Sequence, residues 1–67
     1  MSSFRSLDVL AAALFSSLGS EMTYRQVSTR VLLRTGVNLR EPRPDQLKDP
    51  VAVEKAATAL ADMGYKL

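Results

Sequence analysis

Residues 23–39, TYRQVSTRVLLRTGVNL, constrain the fold of this chain more than any other stretch, because a helix start and a helix stop stand about three turns apart with an amphipathic pattern between them. Thr23 followed three residues later by Gln26 fits a capping box, in which the hydroxyl accepts from a first-turn N–H and the amide reaches back. Tyr24, Val27 and Val31 recur at helical spacing, with Ser28 and Leu32 beside them, while Gln26, Thr29 and Leu33 point the other way. Gly36 stands where a left-handed closing residue is wanted, since glycine has no Cβ to clash there. The pattern predicts a helix over 23–35, with Val37 and Leu39 folding back as apolar anchors.

The same grammar frames two more helices. Ser3 or Ser6 as a cap and Gly19 as a stop predict a first helix over 4–18, with Leu7, Leu10, Ala11, Leu14, Phe15 and Leu18 on its inner face. Asp49 as a cap, Pro50 at the first helical position and Gly64 just past Met63 predict a last helix over 50–63. Its buried stripe reads Val53, Ala56, Ala57, Leu60 and Met63, and its wet side Glu54, Lys55, Thr58 and Asp62. Tyr65 is placed to fold back on Leu60, and Leu67 to cover the core edge. Between the last two helices, Pro42 and Pro44 disfavour helical geometry for the residues before them, leaving an extended link with one turn of helix around 45–48. No stretch alternates convincingly as a strand. The fold class is therefore all-α: one compact three-helix domain over 1–67 with a proline-containing link before the last helix.

At 67 residues there is little stability to spare, since a chain of this size buries only about 60% of the surface that its unfolded form exposes. There is no Cys, hence no disulfide and no thiolate metal site. The longest uncharged run, Val9 to Ser20, falls far short of the roughly 20 apolar residues of a membrane span and lacks the basic start of a secretory signal. A soluble protein of the cytoplasm or nucleus is expected, with no membrane partner.

Chemistry is sparse. No His stands by as a base, no Cys as a nucleophile, and no pair stands out among the seven scattered carboxylates. The serines lack an activating base, and each glycine closes a helix instead of cradling a phosphate. The expectation is a non-enzymatic module without cofactor, metal or small-molecule substrate.

The informative asymmetry is charge. Residues 1–24 carry Arg5 against Asp8 and Glu21, a net −1; residues 25–43 carry five arginines against Glu41, a net +4; residues 44–67 carry three lysines against four acids, a net −1. All the excess positive charge is central, and all of it is arginine, whose planar fork suits phosphate and carboxylate. Arg25, Arg30, Arg34, Arg40 and Arg43 are thus candidate nucleic-acid-binding residues. The plainer alternative is that Arg30 and Arg34 cover core edges with their stems, while Arg40 and Arg43 pair with Glu41 or Asp45. A base-stacking single-strand platform is not indicated, because the only ring among these arginines is Tyr24, on the inner face. A protein contact, or a homodimer, is the competing function. Its candidate residues are Val9, Ala12, Ala13 and Ser16, a charge-free outer face of the first helix, together with Leu33 and its arginine rim.

The threonine, the apolar residues four and eight positions later, the glycine at thirteen and the leucine at sixteen are Thr23, Val27, Val31, Gly36 and Leu39. This spacing resembles that of the DEK C-terminal domain, a small helical module associated with DNA binding. The resemblance implies a preceding helix ending in SSLGSEMT, a final apolar helix and a DNA surface. A helix-turn-helix fits less well, since Gly36 comes nine residues after Val27 and PRP is a poor start for a recognition helix.

Overall fold

Each helix begins where its free first-turn N–H groups find acceptors and ends where a residue turns the chain away. In the computed structural model, which describes residues 4–67, these are α1 (Leu7–Leu18), α2 (Glu21–Thr35) and α3 (Pro50–Asp62). The described residues hold no strand, and every helix packs on both others, giving an all-α three-helix domain.

The starts differ from the sequence expectation in two places. α1 begins at Leu7 and not Phe4, because Ser6 is extended (φ −157°, ψ 167°). Ser3, the other expected cap, lies outside the described residues. Ser6 makes no side-chain bond to the helix backbone; its hydroxyl donates instead to the Asp8 carboxylate. The Leu7 N–H is satisfied by tertiary structure, donating to the Leu47 carbonyl at 2.8 Å. α2 begins at Glu21 and not Thr23. Ser20 is the extended cap, its Oγ accepting from the Thr23 N–H at 3.4 Å, so Thr23 is the donor in this cap and Gln26 is an exposed residue of the second turn. Serine is as good a cap as threonine, and starting two residues earlier sets Glu21 at the positive end of the helix dipole.

α3 follows the expected grammar. The Asp49 carboxylate accepts from the Val51 N–H at 3.0 Å, and Pro50 needs no acceptor at the first position. The helix ends at Asp62, with Met63 as its cap. Gly64 N–H donates to Ala61 O at 3.0 Å and Tyr65 N–H to Leu60 O at 3.0 Å, the paired bonds of a Schellman close.

The link supplies the piece that a three-helix core of this size lacks. Gly36 adopts φ +77°, and the Thr35 hydroxyl donates to Val31 O at 2.7 Å while accepting from the Val37 N–H at 3.1 Å. Two residues on, Asn38 Oδ1 accepts from the N–H groups of Arg40 (3.0 Å) and Glu41 (3.1 Å). These two turns point Val37 and Leu39 inward, at 1% and 2% exposure, and Arg40 outward. The expected helical turn near 45–48 is present, with the N–H groups of Gln46 and Leu47 both donating to Arg43 O at 2.9 Å.

Inside, the core is aliphatic: Leu7, Leu10, Leu14, Val31, Val53 and Leu60 meet Val37 and Leu39. Some expected positions sit elsewhere. Phe15 is 46% exposed and stands at the rim, where its ring meets that of Tyr24 edge to face (centroids 5.3 Å, 86°). Leu67 is 45% exposed and does not cover the core. Ala57 and Met63 are half-buried, while Ala52 and Ala59, which the expected stripe omits, are buried. Alanine at these sites lets α3 approach its neighbours closely.

Leu39→Ala is expected to lower stability by about 2–5 kcal/mol, measured by urea unfolding, since it opens a cavity where all three helices meet the link. The Ser6 hydroxyl holds the Asp8 carboxyl below its ordinary pKa. The stabilisation tied to that charge is present above the ordinary carboxylate pKa and is lost as pH falls through the lowered one. Ser6→Ala should move the Asp8 titration upward, read by NMR of its carboxyl carbon.

Candidate nucleic-acid interface

α2 presents its arginines on two flanks of one exposed surface. With about 100° between successive residues, Arg30 and Arg34 lie about 40° apart on one side, and Arg25 lies across the helix from Arg34. Val27, Ser28 and Val31 take the buried face between those flanks. The Ser28 hydroxyl (3.0 Å) and the Thr29 hydroxyl (2.9 Å) both donate to Arg25 O, so neither introduces an unpaired polar group beside the core.

Arg25, Arg30, Arg34, Arg40 and Arg43 are all exposed. Arg43 Nε pairs with Asp45 Oδ1 at 3.4 Å, but with side chains 71% and 67% exposed the pair adds little stability. Among the described residues the other four arginines make no ion pair. Arg40 lies close enough to Tyr24 to act on its phenol: burial raises the Tyr24 pKa, and the Arg40 charge partly opposes that rise. The asparagine turn thus leaves Arg40 on the side of the link that faces Tyr24. The five arginines are distributed around α2 and the link instead of converging on one point.

The alternative surface is also exposed in large part. Val9 is 45% exposed, Ala12 and Ser16 are exposed, and Ala13 is half-buried. Leu33 is 81% exposed on the outer side of α2, next in sequence to Arg34.

One feature escaped sequence reasoning. An open groove of about 810 Å³ runs between the end of α2 and the outer side of α3, with Arg34 and Thr35 on one wall and Val51, Lys55, Thr58 and Asp62 on the other. Val51, 60% exposed at the start of α3, was the available signal: a β-branched apolar residue on the wet side of a helix.

Among the described residues no group of His, Cys, Asp and Glu could hold a metal ion, and no helix is long and apolar enough to cross a membrane. The chain matches no protein-family model, no curated protein and no solved structure.

Arg40→Ala should raise the Tyr24 phenol pKa further, because it removes the one cation that favours the phenolate. An NMR pH titration of the Tyr24 ring, compared between the native chain and the variant, reads the shift.

Proposed function

We propose that this chain is a non-enzymatic nucleic-acid-binding module that grips duplex DNA by its phosphates. The observation that carries the reading is the sign of α2: after Glu21 the helix bears Arg25, Arg30 and Arg34 with no acid among them, and all three are exposed and free of ion pairs among the described residues. Arg40 extends the set from the link. Each guanidinium can donate two parallel hydrogen bonds to one phosphate without first leaving a carboxylate, so binding breaks no internal pair. Arg43 joins at the small cost of its exposed bond to Asp45. The resemblance of the Thr23 to Leu39 spacing to a DNA-associated helical module points the same way. Binding of this kind positions the protein on the backbone and does not by itself read sequence.

A second reading is favoured by one observation, the 81% exposure of Leu33 between arginine flanks. On that reading α2 is the centre of a protein contact with an arginine rim, and Val9, Ala12, Ala13 and Ser16 of α1 form a second apolar face.

The deciding measurement is fluorescence anisotropy of a labelled mixed-sequence duplex titrated with protein at several salt concentrations. If Arg25, Arg30, Arg34 and Arg40 each neutralise one phosphate, the logarithm of affinity falls against the logarithm of salt with a slope of about −3.6. Arg30→Ala should weaken binding on every sequence and make that slope shallower by about 0.9. No binding at low salt rejects the reading and turns attention to Leu33.

A further inference from the structure

We propose that the groove between α2 and α3 is the docking site for a second copy of this chain, with the two α3 helices packed antiparallel about a twofold axis. The outward side of α3 carries Val51, Lys55, Thr58 and Asp62, at i, i+4, i+7 and i+11. At this spacing the four side chains share one face of the helix. All four are exposed and line the groove.

The charges choose the occupant. The groove bears two cations, Arg34 and Lys55, and two acids, Glu54 and Asp62. A phosphate backbone or an acidic peptide laid along it would meet Glu54 and Asp62, and a basic peptide would meet Arg34 and Lys55. A copy of the same surface, turned by a twofold rotation, presents both signs in reverse order. When the axis passes between Thr58 and Ala59, Lys55 stands opposite Asp62 of the partner, and Asp62 opposite Lys55 of the partner. Both ion pairs form at once, as an isologous contact requires. The crossing itself falls at Thr58, whose short side chain is exposed, while Ala59 is buried against its own domain. Neither Lys55 nor Asp62 forms an ion pair among the described residues of its own chain, so the contact breaks none.

The face is modest. A standard interface takes about 800 Å² from each partner, a large share of the 4480 Å² that this chain exposes. A single pair of short helices with their groove walls covers less, which places the association in the weak, reversible class. The groove shares Arg34 with the proposed DNA surface, whereas Arg25, Arg30 and Leu33 do not line it, and the charges tested below, Lys55 and Asp62, belong to the groove alone.

Sedimentation equilibrium of the full chain from about 1 µM to about 1 mM tests it, without DNA and at low salt. A monomer–dimer equilibrium is expected for the native sequence. Lys55→Glu and Asp62→Lys should each weaken it by about tenfold, because each removes two symmetry-related pairs and sets like charges face to face. Circular dichroism should show both variants folded, as both sites are exposed. The combined K55E/D62K chain should return to within about threefold of the native constant, since the exchanged charges again meet across the axis. A monomer at every concentration overturns the proposal. So does self-association indifferent to either single charge reversal, or a double variant no better than the singles.

Discussion

The burial of Val37 and Leu39 beneath the three helices is the contact on which the rest of the structure depends. Three helices of 12, 15 and 13 residues, two of them spaced by alanine, have few large side chains to give to a common centre. The link supplies two, at 1% and 2% exposure, immediately after the turn at Gly36. In a domain that buries only about 60% of its unfolded surface, two further fully buried aliphatic side chains are a sizeable part of the driving force. The link thereby becomes the fourth wall of the core, and its hydrogen bonds follow from that role. Thr35 and Asn38 shape the turns that aim Val37 and Leu39 inward. Leu47 offers its carbonyl to the first N–H of α1, tying the link to the far end of the bundle.

That arrangement also sets what the surface can do. Because the link must run inward at Val37 and Leu39, Arg40 is held outward and beside Tyr24, not free on a disordered tether. Because α2 gives its Val27, Ser28 and Val31 face to the core, its three arginines are left on the two flanks, pointing to solvent. With no histidine in the chain, none of this charge changes sign near neutral pH, so the basic surface is a constant feature and its interactions respond to salt far more than to pH.

The two faces of the molecule then differ in kind. The outer side of α2 is basic and breaks at Leu33, whereas the groove bounded by Arg34 is balanced in charge, with Arg34 and Lys55 against Glu54 and Asp62. A single-signed surface attracts an oppositely charged polymer, and a balanced one favours a partner with the same balance. On the proposed twofold pairing, two copies of the basic side of α2, each from a chain of net charge +2, would stand on one body, and any polymer they gripped would be held at two points.

Much of this was legible in the sequence, and the misses are of two kinds. Gly19, Gly36 and Gly64, the Asp49–Pro50 start and the spacing of Leu7, Leu10 and Leu14 act through neighbours within a turn or two, so residue order alone determines them: three helices, where each stops, where the last begins and most of the core. The start of α2 was misplaced because Ser20 and Thr23 are both competent caps, and local chemistry does not rank them. What only the tertiary structure decided are the contacts between distant segments: Phe15 displaced to the rim against Tyr24, Ala52 and Ala59 buried where helices come close, the Leu7–Leu47 bond, and the groove bounded by Arg34 and Lys55. These depend on the distances between helix axes, which are fixed by the joint packing of side chains from three helices and a link and by no single stretch of the chain.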